Sequence, residues 1–264
     1  MEHEVINIIE TLKKEMFYIY GAGGHGKKFL KSVEKLGLIN NFIGFTVTLS
    51  DDMEENVLEI DKVSRENLIV IAAHDRNARI MENNLIKLGF KNYINIYKNM
   101  TELYWGEPDE KSVMVSTDAL VRRTKKINYL CALYAAIEYH NGNNLEGKNI
   151  YLKTLGLSSD VQTAKSRWEN FETRIDRYRD IREPENFEIK IDYDKGLILD
   201  GSHRLILAKY YDIKLILADI FHIDPNEYES YYRDNIYGEC FFNNFNGKEK
   251  KLLIDIKKEL VGSI

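Results

Sequence analysis

The sequence predicts an α/β protein built from two units. Short apolar runs alternate with amphipathic stretches between residues 17 and 97. A Gly-x-Gly-x-x-Gly, Gly21-Ala22-Gly23-Gly24-His25-Gly26, joins the first such run to the first such stretch. A second polar loop, Asp200-Gly201-Ser202-His203-Arg204, stands where another apolar run gives way to a helix-forming one. A chain of 264 residues has room for two domains.

Taken in order, Met1 to Met16 is charged and amphipathic, with no apolar signal core. Phe17-Tyr18-Ile19-Tyr20 reads as a buried strand. Lys27 to Leu36 reads as a helix ended by Gly37. Phe42 to Val47 is a second strand and Leu68 to Ala73 another. A helix carrying Ile80, Leu85, Ile86 and Leu88 follows and closes at Gly89. Tyr93 to Ile96 is a last short strand. Strands alternating with helices predict a parallel, Rossmann-like sheet covered on both faces.

The glycine loop has the context that gives its motif meaning, a strand before and a helix after. Glycines permit the turn and let a phosphate approach the backbone, while the helix N-terminus attracts negative charge. A dinucleotide site also wants an acid about twenty residues on, at the end of the second strand. Here that strand ends Thr46-Val47-Thr48, and Asp51 and Asp52 come late. NAD is therefore not expected. His25 is open to two readings, ligand contact or a plain loop histidine, and the whole loop could be a tight strand–helix connection.

On Gly21-Ala22-Gly23-Gly24-His25-Gly26-Lys27 and the Ile43-Gly44-Phe45 strand, this half resembles the N-terminal domain of bacterial sugar O-acyltransferases. The resemblance spans Phe17 to Tyr97 and implies a nucleotide or sugar-nucleotide site at Gly21, Gly23, Gly24 and Gly26, with His25 as the candidate contact beside them. Acyl transfer in that family needs a hexapeptide-repeat β-helix, and no such repeat occurs here.

Tyr104-Trp105-Gly106-Glu107-Pro108 closes the first domain. The expected division is 1–105, a helical connector over 106–145, and a final domain over 146–264. Thr124 to His140 reads as a helix with Leu130, Leu133, Tyr134 and Ile137 on one face. Arg122, Arg123, Lys125 and Lys126 form a basic cluster that could meet a phosphate but reads more readily as a solvated face. Asn149 to Leu152 reads as a strand, followed by a loop through Gly156 and Ser158-Ser159-Asp160. Thr163 to Asp180 is an amphipathic helix with Trp168, Phe171, Ile175 and Tyr178 inward. Its Arg167 and Arg174 are seven apart and share a face. They can reach an anion or pair with Glu169, Glu172 and Asp176.

Phe187 to Tyr193 alternates like a half-buried strand, and Asp194-Lys195-Gly196 turns into Leu197-Ile198-Leu199. Leu205 to Tyr211 is a short helix and Lys214 to Ile220 a third strand. Asn226 to Tyr237 and Lys248 to Leu260 read as helices. A glycine loop that opens a helix is suited to phosphate, and Arg204 adds planar, bidentate donors. The plainer reading is that Asp200 caps the helix.

On Leu199-Asp200-Gly201-Ser202-His203-Arg204 and its strand–helix setting, this segment resembles the ParB/sulfiredoxin superfamily. The resemblance covers about the last hundred residues and implies an α+β domain that binds nucleotide phosphates on the loop. The Asp-Gly-Ser-His-Arg form looks more like the free-serine kinase and sulfiredoxin branches than the DNA-partition clamps. Sulfiredoxin chemistry needs a cysteine where Ser202 stands. The expectation is an ATP-dependent (or other NTP-dependent) phosphotransferase acting on a small hydroxyl compound, with a role in surface-glycan metabolism. Gly201, Ser202, His203 and Arg204 would hold phosphate, Asp200 would hold Mg²⁺, and Asp200 or His203 would take the acceptor's proton. A non-catalytic nucleotide-binding module and a DNA-binding or nuclease protein are the alternatives.

The net charge is −5 and the pI about 5.8, which argues against a broad nucleic-acid face. Cys131 and Cys240 are too few for a disulfide framework or a cysteine-rich zinc site. They fit a reduced, cytoplasmic setting. No apolar run approaches a membrane span. A homo-oligomer is compatible with all of this.

Overall fold

The computed structural model describes residues 2–48, 57–73, 75–155, 161–223 and 238–262. These form nine strands and ten α-helices. The chain divides into two compact units, Met1–Glu107 and Pro108–Ile264. Asp51, Asp52, the loop over 156–160 and the helix expected over Asn226 to Tyr237 lie outside the described residues.

The first unit runs α1 (Glu2–Lys14), β1 (Phe17–Tyr20), α2 (Gly24–Lys35), β2 (Phe42–Val47) and β3 (Val57–Glu59). It continues with β4 (Leu68–Ile71), α3 (Asp75–Lys87), β5 (Tyr93–Asn95) and α4 (Met100–Trp105). Its five strands lie in the order β3-β2-β1-β4-β5, and every neighbouring pair is parallel. Alternation along the strands feeds two cores. Phe17, Ile19, Leu68 and Val70 pack with Leu12 of α1 and Phe29 and Val33 of α2. Tyr20, Ile69 and Ile71 pack with Leu85 of α3 and with Phe90. The strand order reverses at β1, between the branches leading to β2 and β4. That is where open α/β sheets place ligands, at the carboxyl ends of their strands. Gly21 follows β1 directly, its N–H donating to Thr46 O at 2.9 Å.

The second unit opens with β6 (Glu110–Ser116), α5 (Thr117–Arg123), α6 (Ile127–Asn141), α7 (Glu146–Thr154) and α8 (Val161–Tyr178). It then runs β7 (Ile189–Asp192), β8 (Leu197–Asp200), α9 (Ser202–Tyr210), β9 (Leu215–Ile220) and α10 (Gly247–Val261). The mixed sheet has the order β6-β9-β7-β8. Its outer pairs are antiparallel and β7–β9 is parallel. α6 is apolar on most sides and fully buries Leu130, Cys131, Leu133 and Ile137, as a central helix must. Around it gather Ile189 and Ile191 of the sheet, Leu205 and Leu207 of α9, and Phe171 and Ile175 of α8.

Several expectations change here. The stretch 106–145 contributes β6, α5 and α6 to the second unit. The helix expected over Thr124 to His140 is α6, which starts only at Ile127, because Thr124 adopts extended dihedrals at the end of α5. Asn149 to Leu152 lies within helix α7, not a strand. Ile150, Tyr151 and Thr154 bury one helical face, and so short an apolar run fits either period.

The β7–β8 hairpin turns on Asp192, a carboxylate with 0 % exposure. It accepts from the Lys195 N–H at 3.1 Å, Lys195 Nζ at 3.1 Å and the Ile223 N–H at 3.0 Å. Lys195 Nζ also donates to Ile223 O. The carboxylate thus ties the turn to the chain leaving β9. Removing one partner of such a buried charged cluster strands the rest. Asp192→Ala should therefore cost about 3 kcal/mol or more of stability, read as a lower denaturant midpoint for the second unit. A midpoint within error of the parent would show that the turn holds without it.

Candidate functional site

β8 ends on Asp200 and α9 begins at Ser202, so a single residue, Gly201, makes the join. Gly201 has φ +95°, and an added Cβ would lie 2.6 Å from Ile189 Cγ2. Both the left-handed backbone and the close packing on β7 demand glycine. Gly201 is the N-cap and no side chain caps α9, so Asp200 does not play the capping part that the plainer reading gave it. The first turn of α9 also lacks any acidic residue. Its N–H groups and the helix dipole point toward an anion.

Asp200 faces outward, and its Oδ2 accepts from Arg204 Nη2 at 2.7 Å. Partial desolvation by the surrounding chain pushes its pKa up, but the Arg204 charge and hydrogen bond, the Gly201 N–H and the Lys190 charge outweigh it and hold it low. Asp200 therefore stays ionised. Arg204 Nε is buried and no described atom accepts from it.

His203 turns inward, where α6, α7, α8 and α9 meet. Its ring lies 4.8 Å from that of Phe171, 6.0 Å from Tyr151 and 6.3 Å from Tyr129. Tyr151 Oη sits 3.4 Å from Nε2, and burial raises the Tyr151 pKa to about 12, so the phenol keeps its proton. Burial, with the charges of Arg174, Arg167 and Arg204, pushes the His203 pKa down to about 3 against the pull of Asp200. His203 is neutral at ordinary pH and only weakly basic.

Arg167 and Arg174 therefore act on the same spot as Arg204. Both are exposed on α8, and the carboxylates that could have paired with them are engaged elsewhere. Glu169 meets Lys165 at 3.9 Å, while Glu172 and Asp176 meet His140 at 3.5 and 3.2 Å. Among the described residues neither arginine makes an ion pair. Lys126 was expected on a solvated face; it is 4 % exposed. Its Nζ donates to Ile198 O of β8 at 2.6 Å. Burial lowers its pKa to about 8, opposed by Asp200. Arg122 and Lys125 are exposed, and Arg123 lies over Tyr193 at 4.4 Å. The region is cationic, with Asp200 as the carboxylate beside the loop. Sequence reasoning named Lys126 only as one of a basic cluster and did not single out Tyr151. Nothing in a Lys-Arg cluster marks which member turns inward.

In the first unit, a Cβ on Gly26 would lie 1.7 Å from Gly21 O, so α2 rests directly on the loop. Gly23 and Gly24 face open space. Gly23 caps α2 without a side-chain bond, leaving N–H groups accessible to a phosphate. His25 is exposed. Its ring lies parallel to that of Tyr104 at 6.5 Å, and its carbonyl accepts from Tyr104 Oη at 3.1 Å. Thr46, at the end of β2, is wholly buried. Beyond it Thr48 Oγ1 bonds Tyr20 Oη at 2.6 Å. The position where a ribose-binding acid would stand is thus filled by hydroxyls.

Comparisons with protein-family models, curated proteins and solved structures find no match for this chain.

The half-buried imidazole makes a pH prediction. A histidine whose folded pKa is depressed from 6.5 to about 3 supports folding only while neutral. That stability is complete above pH 6.5 and is lost as pH falls toward 3. His203→Gln should flatten the fall in stability across this window, measured by denaturant unfolding at a series of pH values. Parallel curves for variant and parent would show that the ring accepts a proton freely in the folded state.

Proposed function

We propose that the second unit binds a nucleoside triphosphate, ATP in the first instance, with its phosphates over Gly201 to Arg204. We assign it phosphoryl transfer to a small hydroxyl compound. The observation that carries this reading is the uncapped start of α9 at Gly201, with Arg204 in its first turn and the charges of Arg174 and Arg167 also felt at His203. Arg204 and the loop N–H groups would neutralise charge on the transferred phosphoryl. The ParB/sulfiredoxin-like character of the loop supports the same reading.

Among the described residues no group of three or more His, Cys, Asp or Glu is placed to hold a metal ion alone. Mg²⁺ would arrive with the nucleotide, held by phosphate oxygens and by Asp200, and would supply charge neutralisation. In the transfer, the acceptor oxygen bonds the γ-phosphorus and the bond to the bridging oxygen breaks. ADP leaves with that electron pair. With Asp200 engaged and His203 only weakly basic, the hydroxyl proton passes to an oxygen of the transferred group.

For the Rossmann-like first unit we propose sugar-nucleotide binding, favoured by the open space around Gly23 and Gly24. It would supply a link to surface-glycan metabolism.

Arg174→Ala is the cleanest test, because that side chain is exposed and makes no ion pair with a described residue. Calorimetric titration with ATP and Mg²⁺ should show affinity falling about tenfold or more, the value of one charge-assisted bond to phosphate. Arg204→Ala should do at least as much. Equal affinity in both variants would remove the loop as the phosphate site. Binding without ADP release against any hydroxyl acceptor would favour the non-catalytic module.

A further inference from the structure

A cleft of ≈ 720 Å³ opens in the second unit, between the end of α6, the α6–α7 connection and α8. We propose that it binds a neutral polyhydroxy compound of the saccharide class. The volume lies within the ordinary range for small-molecule sites. Its charged lining is balanced, Glu172 and Asp176 against Lys148 and Arg179. A balanced lining offers no net attraction to an anion or a cation, yet it is rich in directional polar groups.

Those groups are pre-positioned. His140, its side chain 16 % exposed, bridges Glu172 Oε1 and Asp176 Oδ1. Arg179 Nη2 donates to Asp176 Oδ1 at 2.9 Å and to Asn141 Oδ1 at 3.1 Å. This network fixes one oxygen of each carboxylate and of the Asn141 amide. Glu172 Oε2, Asp176 Oδ2, Asn141 Nδ2, the Asn143 amide and Lys148 Nζ bond no other described residue. Acceptors and donors thus line one space, and each hydroxyl of a sugar is both donor and acceptor. Trp168, edge-on to His140 at 6.0 Å, and Tyr211 add rings that suit the apolar face of such a ligand.

The cleft is separate from the phosphate loop. Trp168 stands 5.7 Å from Tyr151, and Tyr151 stands 6.0 Å from His203, so a row of rings divides the two. The proposal does not rest on nucleotide binding.

The test uses the full chain carrying Trp105→Phe, which leaves Trp168 as its single tryptophan. Its fluorescence is followed during titration with glucose, galactose, N-acetylglucosamine and a disaccharide, and separately with inorganic phosphate. At least one neutral sugar should give a saturable change. Glu172→Gln and Lys148→Met should each weaken it by about tenfold at an unchanged melting temperature, and Arg174→Ala should leave it unaltered. Three outcomes would overturn the proposal: no saturable change with any sugar, a response indifferent to both cleft variants, or saturation by phosphate in preference to sugars.

Discussion

The geometry of the second unit depends on one buried carboxylate. Asp192 holds the β7–β8 turn against the strand exit at Ile223 through three donors. With the turn fixed, Asp200 must end β8 directly across from Lys190. With Asp200 fixed, the chain has one residue in which to turn into α9. It does so over Ile189, where only a missing Cβ leaves room. The direction of the α9 dipole follows from that sequence of constraints. An isolated buried carboxylate would be costly. Here the cost is offset because its donors come from two residues, Lys195 and Ile223, that the fold must bring together anyway.

Helix α8 partitions its own charge. The spacing of 3.6 residues per turn puts Trp168, Phe171 and Ile175 inward. It puts Arg167 and Arg174 on one flank and Glu172 and Asp176 on another. The acidic flank is occupied by His140 of α6, which leaves the basic flank uncompensated. A surface ion pair would have contributed little to stability. Its absence preserves a positive field felt at Tyr151 and His203.

The parts legible in the sequence were those whose local pattern and tertiary role agree. Phe17 to Tyr20, Phe42 to Val47 and Leu68 to Ile71 are strands by pattern and by pairing. Both glycine loops were legible because strand, glycine and helix stand adjacent in the chain. β6 was not. It is an edge strand that leaves Met114 47 % exposed, and an irregularity between Glu110 and Val113 breaks its alternation. β3 was hidden by its length of three residues. Lys126 could not be separated from its neighbours, because its burial is decided by β8, 72 residues away. The histidine cage likewise draws on four helices, and only distance in space relates them.

The order β6-β9-β7-β8 has a consequence for how the chain is made. All strands of the first unit's sheet lie within residues 17–95, so it can close while the remainder is still emerging from the ribosome. β6 is synthesised next but must wait for β9, about a hundred residues later, before its hydrogen bonds have partners. Until then its valine-bearing edge is open to any other strand. A fragment beginning at residue 146 would invert the hazard. It would carry β9 without β6 and expose the unpaired flank of an apolar strand, the kind of edge along which chains aggregate.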